Sequence, residues 1–392
     1  MPVDEKTRQY IMDTYSRFDV VLESGKGATA RGAGREYVDF GSGIGVNALG
    51  YCDDVWAAAV AKQAAALSHC SNLYYAPVQG ELAELLCNAS GFARVFFANS
   101  GAEANEGLIK LARKYSFDKY GRGRATVVAL ENSFHGRTVT TLSATGQEVF
   151  HNYFFPFTPG FKFAAANDIQ SVKDACTPDV CAVLLEPVQG EGGVLPLDAA
   201  FVRETAEFCR ARDILLLFDE VQTGIGRTGS FFAYEQFGVK ADAVSCAKAL
   251  AGGLPMGAVL ACERLARVLG PGTHATTFGG NPIACAGALE VVKRVTAPGF
   301  LQEVTRKGEV FRAALKKLPG VGEIRGLGLM LGFDIAGADA KKAAALAAEK
   351  GLLVLTAKSS LRLLPPLTIT EEEIARGMEI LEKTLAELPA RA

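Results

Sequence analysis

The chain has 392 residues, with 41 Lys plus Arg against 43 Asp plus Glu and 49% hydrophobic residues. A balance this near neutral argues against nucleic acid or an anionic membrane as the main partner, and the length suggests two domains. No apolar run reaches the roughly 18 residues that a bilayer crossing needs, and the polar N-terminus lacks a signal peptide's apolar core.

Nine scattered cysteines with no Cys-x-x-Cys pair read as reduced thiols, so the expected location is the cytoplasm. Four histidines, none spaced with another for a metal, predict no zinc site.

Val20 to Gly27 and Tyr37 to Phe40, punctuated by glycine, predict a pair of short strands. The stretch Gly41 to Asn47 is a flexible loop able to approach a ligand, or a plain turn. Trp56 to Leu67 is an alanine-rich packing helix. Val95 to Ala98 predicts a buried strand, then a helix whose apolar positions Ala104, Leu108, Leu111, Ala112 and Tyr115 share one face. Free backbone N–H groups at Ser100, Gly101 and Ala102, where that helix starts, suit a phosphate. Ser100 fits nearly as well as an ordinary N-cap.

Thr126 to Leu130 is another predicted strand. It leads to a loop in which Phe134 could stack on a flat ring and Arg137 could clamp a carboxylate. A core Phe and a surface Arg are the plainer fates of these two residues. Ala182 to Leu185 then delivers Glu186, followed by Glu191 among glycines.

Ile214 to Phe218 ends in Asp219 and Glu220, and a short apolar run bounded by turn signals predicts a buried strand of a parallel sheet. Ligands of open α/β sheets bind at the carboxyl ends of the strands, which is where Asp219 falls. The next strand, Ala241 to Ala247, runs directly into Lys248. A lysine among small apolar residues is poorly solvated, and its amine is freed as a nucleophile. A carboxylate at one strand end and a lysine after the next is the pairing that pyridoxal phosphate chemistry uses: a Schiff-base amine, and an acid that keeps the ring nitrogen protonated. Taken singly, Asp219 could cap a turn and Lys248 could reach to water.

Gly224-Ile225-Gly226-Arg227-Thr228-Gly229 has the spacing of a dinucleotide-binding loop. It neither follows its strand directly nor opens a helix, so a nicotinamide cofactor is not expected. Beyond it lie a loop rich in hydroxyls, His274 to Pro282, and a helix from Pro282 to Val295. The remainder alternates helix and strand. Helices are predicted over Leu301 to Leu318, Asp339 to Lys350 and Thr370 to Leu388, with strands over Gly328 to Phe333, Leu352 to Thr356 and Leu361 to Leu364. Asp339 is read as an N-cap and Thr370 with Glu373 as a capping box.

In this order the motifs Asn99-Ser100-Gly101-Ala102-Glu103-Ala104-Asn105, Phe134-His135-Gly136-Arg137-Thr138, Glu186 to Gly193, Asp219 to Gly224, Ala247-Lys248 and Thr277 to Pro282 resemble those of class III aminotransferases. The likeness runs from about residue 20 to 370 and is nearest to the acetylornithine group. It implies the pyridoxal 5'-phosphate (PLP) fold-type I: a large α/β domain with a mostly parallel sheet at 46–284 and a smaller α+β domain at 285–392, to which 1–45 contributes.

The resemblance also implies roles. Lys248 would hold PLP covalently and move protons, and Asp219 would pair with the pyridine nitrogen. Gln222 would lie near the ring hydroxyl, Phe134 would stack on the ring, and Glu186 would line the cofactor site. Ser100, Gly101 and Ala102 would cradle the phosphate with Thr277 of a neighbouring subunit, making the protein a homodimer. Arg137 would bind the α-carboxylate of the amino donor and Arg362 that of 2-oxoglutarate, with Glu191 pairing Arg362 while the donor is bound. Relatives that resemble ornithine aminotransferases carry a tyrosine where this chain has Ile44. An isoleucine there suits the acetamide of N-acetylornithine better than the ammonium of ornithine. Two departures stand out: Tyr51-Cys52-Asp53-Asp54 replaces the usual His-x-His-Pro in what is expected to be a surface turn, and Ala251 replaces a glycine after the lysine.

Overall fold

The structure is a computed structural model that describes residues 5–388. Its centre is a seven-stranded sheet in the spatial order Arg94–Ala98, Gly257–Ala261, Ala243–Cys246, Leu215–Asp219, Val180–Leu185, Thr126–Leu130 and Phe161–Ala164. Neighbouring strands are parallel except where Gly257–Ala261 runs antiparallel to both of its partners.

Side chains alternate between the faces of a strand, so a strand covered on both faces reads as a continuous apolar run. Leu215 and Leu217 pack with Leu108, Ile109 and Ala112 of the helix Gly101–Tyr120 on one face. Leu216 and Phe218 point the other way, into a core that includes Phe201 and Val202 of the helix Ala199–Ala211 and Val291 and Val292 of Pro282–Val295. Because six strands share a direction, those ending at Ala98, Leu130, Leu185, Asp219 and Cys246 deliver their following residues to one edge of the sheet.

Two smaller sheets flank this unit. One takes Ser24–Lys26, Thr29–Gly32 and Arg35–Asp39, with Leu352–Leu353 added parallel to the last. The other is antiparallel, in the order Val321–Leu327, Met330–Ile335, Ser360–Leu363 and Leu355–Ala357. The single strand expected over Leu352 to Thr356 is thus divided at Val354 between two sheets. The N-terminal pair of strands is a three-stranded meander, and Gly328, expected to open a strand, sits in a hairpin turn at φ +52°.

The glycine-rich decoy is a packing device. A Cβ on Gly229 would lie 2.2 Å from Thr305 Oγ1, and one on Gly226 would lie 2.8 Å from Val295 Cγ1, so the loop nests against two helices of the C-terminal region. No helix among the described residues is long and apolar enough to cross a membrane.

The expected loop Gly41 to Asn47 is a left-handed turn with Ser42, Gly43, Ile44 and Gly45 all at positive φ. Asp39, 2% exposed, pins it by accepting from the N–H groups of Gly41 (2.7 Å) and Ser42 (2.9 Å). The other Asp39 oxygen accepts from the Tyr51 hydroxyl at 2.7 Å. Tyr51 therefore does more than fill a surface turn, because it holds the carboxylate that braces this strained segment. Asp53 caps the following helix, Asp54–Ala66, and Trp56 on that helix donates to Ala251 O at 3.1 Å.

Candidate active site

Strand ends converge on a cavity of about 410 Å³ lined by Ser100, Gly101, Ala102, Phe134, Arg137, Glu186, Asp219, Gln222 and Lys248, among others. Nine of the thirteen residues singled out from sequence are therefore brought together. Glu191 and Arg362 sit behind Gln222, whose Oε1 accepts from Arg362 Nη1 at 3.2 Å, while Glu191 Oε1 accepts from the same nitrogen at 2.7 Å. Thr277 is exposed and lies outside this cavity, as does Ile44 at 42% exposure, although its near neighbour Val46 lines it.

Asp219 is the most heavily braced group. Its Oδ2 accepts from Asn105 Nδ2 and from His135 Nδ1, each at 2.7 Å, and its Oδ1 accepts from Val221 N at 2.9 Å. Asn105 also donates to His135 O at 2.8 Å and accepts from Ser245 Oγ at 2.6 Å, so one amide locks helix, loop and strand together. Sequence reasoning assigned no role to Asn105 or His135. The available signal was a polar residue on the apolar face of the Gly101–Tyr120 helix, next to Ala104 and one turn from Leu108. A buried amide there needs partners.

Lys248 is half-buried at the start of a short helical turn, with its backbone at φ +39°, a region that a non-glycine residue rarely adopts. Burial drives its pKa down, against the opposing pull of Asp219, Glu191 and Glu186. Glu186 is raised well above the usual carboxylate range by burial, then by Asp219. It accepts from Phe134 N at 2.9 Å and so fixes the loop that carries the aromatic ring. Burial also acts to raise Glu191, but the Arg362 guanidinium outweighs it and the net shift is downward.

At the start of the 20-residue helix, Ser100 Oγ accepts from Glu103 N at 3.2 Å. The N-cap reading of Ser100 therefore holds, and it coexists with an anion site: Gly101 and Ala102, whose N–H groups have no acceptor within the helix, line the cavity. Gly101 must be glycine, since a Cβ there would lie 2.6 Å from Val221 Cγ1. A Cβ on Gly190 would lie 2.1 Å from Gln222 Oε1 and push that amide from its place beside Arg362. A buried amine, a braced carboxylate, a half-buried ring and an anion-ready helix start fit PLP in one cavity. His135, on the cavity wall, has its Nε2 buried without a partner among the described residues, which matches a site completed by bound groups.

Comparison with known proteins gives the same picture. The family Aminotransferase class-III matches residues 10–385. Acetylornithine aminotransferase of Haemophilus ducreyi is 51% identical over 97% of both chains, and that of Caldanaerobacter subterraneus is 48% identical over 97% of this chain and 98% of its own. Among solved structures, ornithine aminotransferase of Toxoplasma gondii superposes with a TM-score of 0.93 at 34% identity, covering 97% of this chain and 93% of its own. N-acetylornithine aminotransferase of Stenotrophomonas maltophilia gives 0.85 at 36%, covering 98% of each. With the fold, the lysine on the cavity wall and full-length matches in agreement, this chain belongs to the class III aminotransferases, enzymes that depend on PLP.

Proposed function

We propose that the protein transfers the δ-amino group of N-acetylornithine to 2-oxoglutarate, giving N-acetylglutamate semialdehyde and glutamate. The observation that carries the donor is the 51% identity, over nearly the whole of both chains, to a relative that bears that donor in its name. Ile44 supports it, since an isoleucine offers an acetamide contact and offers an ammonium nothing.

Bound in the cavity, PLP supplies an electron-withdrawing ring and an amine carrier. The chain's own residues do the rest. Asp219, held by Asn105, His135 and Val221, would pair with the ring nitrogen, and Phe134 would stack on the ring. Gln222 would lie near the ring hydroxyl, and Glu186, which accepts from Phe134 N, would hold that loop beside the cofactor. Lys248, its pKa lowered by burial, would take the proton from the donor's reacting carbon and pass it to the cofactor's carbon. The N–H groups at Ser100, Gly101 and Ala102 take the phosphate, joined by Thr277 of a second subunit in a homodimer. Arg137 takes the donor's α-carboxylate. Glu191 neutralises Arg362 while the donor is present and releases it to bind 2-oxoglutarate. The working division is a large cofactor domain at 46–284 and a small domain built from 285–392 with 1–45, in the cytoplasm.

The test is competition between N-acetylornithine and ornithine at equal concentration, each with 2-oxoglutarate. A preference in kcat/KM of at least about tenfold for the acetylated donor is expected, corresponding to about 1.4 kcal/mol. Ile44→Tyr should narrow it. If ornithine or 4-aminobutyrate wins, the donor assignment fails and the transaminase chemistry stands.

A further inference from the structure

Arg137 lines the cavity and is exposed, yet among the described residues it makes no hydrogen bond or ion pair. Its partners are two rings. The guanidinium carbon lies 4.4 Å from the ring centroid of Phe150 and 5.5 Å from that of Phe134. Those two rings meet edge to face, with centroids 5.6 Å apart and planes at 66°. An arginine at an open site has many rotamers, and ordering it costs entropy each time a ligand binds. A ring beneath the cation limits that freedom through its quadrupole while leaving the N–H fork free.

Phe150 is itself anchored on both sides. It closes a short turn, Glu148–Phe150. Before it, Gln147 Nε2 donates to Asn132 O at 3.3 Å and Ser133 O at 3.1 Å, in the loop that leads to Phe134. After it, His151 Nε2 meets Leu142 O at 3.0 Å, and its ring packs against Phe157 and Phe163. The Phe150 ring is therefore a fixed platform in the same frame as the ring-stacking Phe134.

We propose that Phe150 is a positioning residue for donor recognition: it holds the Arg137 guanidinium in place, with its N–H fork uncommitted, for the donor's carboxylate. The inference rests on the reading of Arg137 as the carboxylate group. The experiment compares two amines that differ only at that group, N-acetylornithine and its carboxylate-free analogue N-acetyl-1,4-diaminobutane. Each is measured as a substrate (KM, kcat) or, where turnover is absent, as a competitive inhibitor (Ki), with wild type, Phe150→Leu, Phe150→Tyr and Arg137→Gln.

Phe150→Leu should raise KM for N-acetylornithine roughly three- to tenfold with little change in kcat, and should affect the carboxylate-free amine much less. Phe150→Tyr, which keeps the ring, should behave like wild type. If Phe150→Leu weakens both amines equally, or neither, while Arg137→Gln discriminates between them, the platform role is wrong and the Arg137 reading survives. If Arg137→Gln fails to discriminate, the carboxylate reading falls and the inference falls with it.

Discussion

At the scale of single residues, the site divides into groups that act and groups that hold them. Arg362 is 2% exposed, and one of its nitrogens reaches both Glu191 and Gln222. Arg362→Lys keeps a charge but loses the fork that takes both oxygens of a carboxylate. Single-turnover spectra of each half-reaction should show return of the amino group to 2-oxoglutarate slowed about tenfold, with loading by the donor much less affected. Equal damage to both halves would make Arg362 structural. The residues proposed to act were legible in the sequence as candidates because chemistry restricts their type: only a lysine, a carboxylate or an arginine could do what is proposed for each. The holding residues, Asn105, His135 and Phe150, were not. Their value depends on what the fold sets beside them, and a histidine in a loop or a phenylalanine before His151 looks the same whether or not it braces anything.

At the scale of elements, the sequence was most readable where one helix or strand carries its own signal. The helix Pro282–Val295 begins and ends where its proline and periodicity placed it, and Thr370 with Glu373 makes the capping box of Glu371–Glu387. The strand Val321–Leu327, with two glycines and charges in its run, escaped notice because its support is across the sheet: Arg325 makes two 2.8 Å bonds to Asp334 on the partner strand. The loop after Leu215–Asp219 also depends on a remote partner. Glu220, fully buried, accepts from Thr223 Oγ1 and from Tyr234 N, and burial pushes its pKa up to about 8. Its folded value is above that of the unfolded chain, so the folded state holds the proton more tightly. The stabilisation is full below about pH 4 and is lost as pH rises towards 8. Glu220→Gln keeps an acceptor for Tyr234 N and cannot ionise. Its Tm, taken relative to wild type at each pH, should therefore rise between about pH 5 and 8, by the equivalent of a few kcal/mol. A constant difference across that range would mean that Glu220 is ionised throughout.

The whole molecule raises the matter of shared sites. Thr277 is exposed, next to Phe278 in the chain and in one cleft with Leu73, large side chains that also face outward in a single chain, as do Tyr74 and Tyr75 after Leu73. If Thr277 serves the neighbouring subunit, Thr277→Ala should weaken PLP affinity about tenfold or more, the worth of one hydrogen bond to a charged group. Mixed dimers distinguish the two arrangements. A Thr277→Ala subunit paired with a Lys248→Ala subunit keeps one site with both residues intact if Thr277 reaches across, and none if it acts at home. Mixed dimers separated from both homodimers should recover about half the wild-type sites, and an unfractionated equal mixture about a quarter; no recovery would place Thr277 in its own subunit's site.

One feature of the chain's ends bears on how the molecule is made. Arg35–Asp39 finds its parallel neighbour only in Leu352–Leu353, and Ala28 N and Glu36 find theirs in Glu373 and Arg376 of the last described helix. On the ribosome, these strands wait for roughly 300 further residues before that edge is covered, on the order of tens of seconds at ordinary elongation rates. Throughout that interval they present an unpaired strand edge, the surface most prone to join a second nascent chain. The N-terminal meander should therefore become protected against amide exchange late in synthesis and need a chaperone until then, although it is made well before the strand that covers it.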